Sequence, residues 1–183
     1  MTKPEMCVLR RYYLTRGYAH LAQQIGRARC NAKPPSVRSN DSGYHDYSDD
    51  RTLPHIIGVS AEIAYARVTG KDLDTSIRAC GDTIDFDGVE VKTSTWADAD
   101  IQLKVKQSEY ARKRPRSYLL CRGVKTIRWV EFIGSISGAR FDAIKRPMRH
   151  KFVDNYVADA KDLTPVVVCF TGSTYYTLTI VDA

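Results

Sequence analysis

The chain has 183 residues, 43% hydrophobic and 27% charged, with a net charge of +7. That length supports one domain with its own core, and that composition is a soluble globular one. No apolar run approaches the ~20 residues needed to span a bilayer, and MTKPEMCVLRRYYL lacks the apolar stretch of a secretory signal. A cytoplasmic location is the expectation. The five cysteines (Cys7, Cys30, Cys80, Cys121, Cys169) are scattered without a CxxC and read as reduced thiols, several of them buried. The four histidines do not pair with them at zinc-ligand spacing.

The N-terminal part is basic: residues 1–39 hold eight cations against Glu5 alone. Within it, RGYAHLAQQIGRAR (16–29) sets Tyr18, Leu21 and Ile25 at helical spacing and predicts a basic amphipathic helix. NAKPPSVRSNDSGYHDYSDD (31–50) is rich in turn formers and predicts a long loop. Residues 1–50 thus read as a basic helix and polar loop attached to a main domain over 51–183, in a single-domain protein. GVSAEIAYARVTG (58–70) predicts a helix capped by Ser60 and stopped by Gly70.

Two strands follow, DTIDF and VEVKTS, joined by Asp87-Gly88, a strong hairpin signal. DIQLKVK alternates and predicts a third strand. KVKQSEYARKRPR carries six cations and one anion and predicts a basic loop or short helix. SYLLCR and TIRWVEFIGSI read as strands, IKRPMRHK adds four cations, and PVVVCF and TYYTLTIV form a last hairpin around Thr171-Gly172-Ser173. A helix followed by a mixed sheet makes the class α/β or α+β.

Residues 82–100 reverse the charge, with six acids against Lys92. A two-residue loop at Asp87-Gly88 sets Phe86 opposite Val89, Asp85 opposite Glu90 and Thr83 opposite Lys92. Alternation then puts Asp85, Glu90 and Lys92 on one face and Ile84, Phe86, Val89 and Val91 on the other, buried face. Opposed carboxylates about 5 Å apart destabilise a hairpin unless a cation lies between them. Hard oxygen ligands without His or Cys favour Mg²⁺ over zinc. A basic chain with one acidic pocket suits a polyanion met through a metal.

From Gly58 to Gly138 the chain resembles the PD-(D/E)XK nuclease superfamily, the restriction-endonuclease-like fold, in the compact form found in phages and mobile elements. The resemblance lies in the glutamate-bearing helix GVSAEIAYARVTG, the aspartate of GDTIDFDG, the E-x-K of VEVKTST, the strand IQLKV, and YLLCRGVKTIRWVEFIGSISGARF. No proline precedes the aspartate, and the gap from Asp85 to Glu90 is short; Asp82 is the alternative if the hairpin bulges. The resemblance implies a restriction-endonuclease-like core, a central mixed sheet flanked by helices, with the basic helix as an N-terminal extension. It also implies that Asp85, Glu90 and the Val91 carbonyl hold Mg²⁺, with Mn²⁺ able to substitute, and that Glu62 joins directly or through water. Lys92 would orient or help deprotonate the attacking water and offset phosphoryl charge. Thr93, Ser94, Arg112, Lys113, Arg114 and Arg116 are the candidate DNA contacts.

The function expected is a Mg²⁺-dependent DNA endonuclease in a bacterial or phage-infected cell, acting on double-stranded or branched DNA, with a homodimer for symmetric cutting. Two alternatives stand beside it: a catalytically silent DNA-binding or regulatory protein on the same fold, and a nuclease directed at RNA.

Overall fold

Two crossing helices form where apolar residues recur at helical spacing. The computed structural model describes residues 7–32, 51–77, 83–95, 101–150, 153–170 and 176–180. Helix α1 is Arg16–Ala32 and helix α2 is Leu53–Thr69. Ala22 and Ile25 of α1 pack on Ile56, Val59 and Ile63 of α2. Gly26 permits the crossing, since a Cβ there would lie 2.6 Å from the Ile56 Cα.

Helix α2 begins before the expected start. Pro54 sits in its first turn, where a missing N–H costs no helical bond. Ser60 is therefore not a cap; it is buried mid-helix, and its hydroxyl donates to the Ile56 carbonyl at 2.8 Å. Gly70 does end the helix, at φ 70°, with its N–H on the Ala66 carbonyl.

The strands are β1 (Cys7–Leu9), β2 (Arg11–Tyr13), β3 (Val89–Ser94), β4 (Gln102–Lys106), β5 (Ser117–Gly123), β6 (Trp129–Ser137), β7 (Arg146–His150), β8 (Val153–Asp159), β9 (Thr164–Phe170) and β10 (Tyr176–Ile180). Two short helices, α3 (Gln107–Lys113) and α4 (Gly138–Ile144), complete the order. Seven strands make the main sheet, in the order β1-β9-β6-β5-β3, with β10 beside β9 and β2 beside β6. β3 and β5 run parallel and the other pairs antiparallel, so the sheet is mixed and β3 is an edge. The crossover from β3 to β5 passes through β4 and α3.

One face of the main sheet packs on α2, with Ala61, Ala64, Tyr65 and Val68 against Val91, Leu119, Cys121, Val130 and Phe132. The other face is covered by a three-stranded sheet, β4-β8-β7, whose Leu103, Val105 and Ala158 meet Tyr118, Leu120, Ile136 and Phe141. A register shift between Leu120 and Cys121 skips Ile133 and changes the phase of β6. Phe132 then faces α2 while Ile136 faces the second sheet. The chain is thus an α/β protein with a mixed sheet flanked by helices.

Three details depart from expectation. DIQLKVK supplies β4, but in the covering sheet rather than the main one. The described part of DTIDF, residues 83–86, is not a strand: Phe86 bridges Val89 and the ladder goes no further. Residues 7–13 add β1 and β2 to the main sheet, so the N-terminal part shares one core with the rest. The tail hairpin forms as expected, with Tyr176 paired to Phe170, and its turn lies outside the described residues. Cys30 and Cys121 are buried free thiols, and burial pushes the Cys121 thiol up. No helix among the described residues is long and apolar enough to cross a membrane.

Candidate active site

The turn at Asp87-Gly88 fixes one end of the site. Gly88 adopts φ 73°, a region open to glycine, and Phe86 and Val89 exchange both backbone hydrogen bonds at 3.0 Å. The next residue breaks the ladder. The Asp85 carboxylate, rather than a backbone carbonyl, accepts the Val91 N–H at 2.8 Å. The hairpin stops there because a side chain has taken the place of the strand.

Alternation along β3 sends Val91 into the core under α2 and turns Glu90 and Lys92 to the opposite face. There α3 supplies the partners. Glu90 is 2% exposed, and its Oε1 accepts Lys92 Nζ at 2.9 Å and Lys113 Nζ at 2.6 Å. Glu90 Oε2 is buried with no hydrogen-bond partner among the described residues. Lys92 Nζ also donates to Glu109 at 2.7 Å. Burial works against the charge on Lys92, but Glu109 and Glu90 outweigh it and hold the ammonium well above the usual lysine range. Burial likewise disfavours the Glu109 carboxylate, yet Lys92 brings it below its ordinary value.

The other two acids come from outside β3. Glu62, on α2, is clamped by Arg29 of α1, whose Nη1 lies 2.8 Å from both carboxylate oxygens. The same guanidinium donates to the Asp74 carbonyl at 2.8 Å and the Ser76 carbonyl at 3.4 Å. Desolvation raises the Glu62 pKa despite Arg29, and Glu90 adds to the rise. Burial pushes Asp85 up to about 7, with Glu90 and Glu62 reinforcing the shift and Lys92 and the Val91 N–H opposing it. The three carboxyls therefore feel one another across the sheet edge. Tyr118, the Cα partner of Glu90 on β5, is pushed up to about 12 by burial.

Of the expected quartet, Lys92 bonds Glu90 directly, and Asp85 and Glu62 are linked to Glu90 by electrostatic interaction. Among the described residues, however, no three Asp, Glu, His or Cys side chains form a group able to hold a metal ion. The candidate DNA contacts divide. Lys113 was expected on the DNA path, yet its side chain is only 7% exposed because Glu90 holds it inside the acidic cluster. Ser94 is buried too, and Thr93 half-buried. Arg112, Arg114 and Arg116 are exposed; Arg116 pairs with Asp87 at 2.9 Å. Asp82 lies outside the described residues.

Arg29, Glu109 and Lys113 are members of the cluster that sequence reasoning missed. For Glu109 and Lys113 a signal existed: opposite charges four apart share one side of a helix. For Arg29 there was none beyond its place on a basic helix. Comparison with family models, with curated proteins and with solved structures finds no match.

Proposed function

We propose that the chain is a Mg²⁺-dependent DNA endonuclease of the PD-(D/E)XK type, hydrolysing phosphodiester bonds with water. One observation carries the reading: Glu62, Asp85, Glu90 and Lys92 interact at one sheet edge, where a Glu90 oxygen is buried without a partner. A buried glutamate that raises the pKa of two neighbouring acids and leaves a hard oxygen unsatisfied fits Mg²⁺ or Mn²⁺. Asp85, Glu90 and the Val91 carbonyl would hold the ion. Glu62, already clamped by Arg29, would reach it through water. A bound ion supplies polarisation of the phosphate and a lowered pKa for a coordinated water.

The protein's own groups do the rest. Lys92 is a firm cation, so it donates hydrogen bonds and offsets developing negative charge. Glu109 and Glu90 anchor its ammonium from two sides and fix where it points. Arg112, Arg114 and Arg116 supply exposed positive charge for the DNA backbone. Cutting both strands symmetrically would need a second copy of the chain.

A catalytically silent DNA-binding protein is the second reading. What favours it is that the acids already have internal partners: Arg29 on Glu62, Lys92 and Lys113 on Glu90. The test incubates the protein with supercoiled plasmid, single-stranded DNA, a four-way junction and RNA, in Mg²⁺ or EDTA, beside Lys92→Ala and Asp85→Asn. Metal-dependent cutting of DNA that both variants lose, by about a hundredfold or more, is the expected result. Binding without cutting turns the reading to the silent module, and cutting of RNA alone overturns the substrate.

A further inference from the structure

Helix α3 also leads into a second charge cluster, of which the reading above uses Arg114 alone. The Asp142 carboxylate, on α4, accepts the Tyr110 hydroxyl and the Lys145 ammonium, the latter at 3.1 Å. Arg114 Nη1 lies 3.5 Å from the other Asp142 oxygen and donates to the Tyr110 hydroxyl at 2.6 Å. Lys145 donates to that same hydroxyl at 2.9 Å and to the Asp142 carbonyl at 3.3 Å. Both cations also stand over the Tyr110 ring, Arg114 at 4.4 Å and Lys145 at 4.5 Å from its centroid. Three donors thus converge on one two-oxygen anion.

The place is as telling as the shape. Tyr110 follows Glu109 and Arg114 follows Lys113, so the second cluster adjoins the residues that hold Lys92 and Glu90. The Gly138 N–H bonds the Arg116 carbonyl at 2.7 Å, and Val89 pairs with Ser117. The start of α4 is thereby set at the end of the sheet where β3 begins. Tyr110 is 9% exposed and wedged against Phe141 and Tyr156. Lys145 is 19% exposed, whereas Asp142 is 43% and Arg114 61% exposed. The donors next to the core are held, and the acid stands at the rim.

We propose that Arg114, Lys145 and the Tyr110 hydroxyl form a phosphate subsite for a nucleic-acid strand, with Asp142 occupying it until the strand arrives. This rests on the reading of the chain as a nucleic-acid enzyme. A phosphodiester offers what Asp142 offers, two oxygens sharing one negative charge, and two cations serve it. The Tyr110 hydrogen bond keeps Asp142 below the usual carboxylate range, so the rim group is an anion at neutral pH. Swinging it into solvent frees the subsite without disturbing the packed ring of Tyr110.

The experiment measures binding of a short fluorescein-labelled duplex by anisotropy, in EDTA to prevent turnover, from about 50 to 200 mM KCl. Thermal melts report folding of each variant. Arg114→Gln and Lys145→Gln should each weaken binding and flatten the log–log salt slope by about 0.9. Asp142→Asn should tighten binding by about threefold, because removing the resident anion removes a competitor. Asp72→Asn, the same charge change at an exposed residue just past the end of α2, should have a clearly smaller effect. Should Lys145→Gln fail to fold, Asp142→Asn and Arg114→Gln decide the matter alone. Unaltered slopes, or Asp142→Asn binding no tighter than Asp72→Asn, overturn the subsite and leave the nuclease reading standing. A wild type that binds no DNA in this assay but cuts it in Mg²⁺ overturns the subsite alone, and one that does neither overturns both.

Discussion

Helix α3 carries charge into two clusters, and the two are unequal. On the β3 side, Glu90 is 2% exposed and one of its oxygens has no partner among the described residues. There burial raises the pKa of both Glu62 and Asp85. On the α4 side, the Tyr110 hydroxyl and the Lys145 ammonium both serve Asp142, and Asp142 stands lower than an ordinary carboxyl. The same kinds of residue are thus destabilised in one place and satisfied a turn away. The difference separates a place that wants a cation from one whose resident acid can give way to another anion. A buried polar atom without a partner costs on the order of 1–3 kcal/mol, and such a cost beside perturbed acids marks a candidate functional site.

The largest expected effect falls on the buried side. Arg29→Ala leaves Glu62 as an unpaired acid in a desolvated place, and should lower stability by about 3 kcal/mol in urea unfolding at pH 7. Replacing both partners by apolar residues, Arg29→Met with Glu62→Leu, should recover most of that loss. A loss under about 1 kcal/mol would break the comparison, since it would make the Glu62 pair no costlier than a surface one.

Asp85→Asn should sharpen the contrast in the opposite direction. The folded protein holds Asp85 at about 7 against an ordinary 3.8. A raised folded pKa stabilises below the unfolded value, and that contribution is lost as pH rises through the folded one. The wild type therefore gives up stability between about pH 4 and 7, and asparagine does not. At pH 8 the variant should be more stable by on the order of 2–4 kcal/mol, with the gap closing near pH 4. Mg²⁺ should narrow the same gap by stabilising the wild type. A difference that does not depend on pH would place Asp85 outside the coupled cluster.

Much of this arrangement was legible in the residues, for local reasons. Alternation alone puts Glu90 and Lys92 on one face of a strand, and Asp87-Gly88 sets the turn beside them. The helices α1 and α2 announce themselves by period. What failed depends on a side chain replacing the backbone, or on partners far away in the chain. Residues 83–85 read as a strand from the Asp87-Gly88 hairpin signal, but the Asp85 side chain takes the Val91 N–H that a strand would need. β1 has three residues, too few to show a period, and its partner is β9, at Phe170. Lys113 looked like one more surface cation. Only the crossover that lays α3 beside β3 turns it inward onto Glu90.

The smallest expected effect belongs to the exposed rim. Arg116 lies over the hairpin turn, 74% exposed, and pairs with Asp87, 85% exposed. Such a pair in high dielectric gains little over its hydration and its lost side-chain freedom. Arg116→Gln should change stability by no more than about 0.5 kcal/mol, and by less still in high salt. DNA affinity should fall about threefold at moderate salt, because the same cation faces the solvent a phosphate would approach through. Stability that stays put while affinity drops assigns Arg116 to the ligand side of the contrast. Stability that drops with it would mean that the turn under β3 depends on the pair, and the boundary between the costly cluster and the exposed one would have to be drawn on the other side of Asp87.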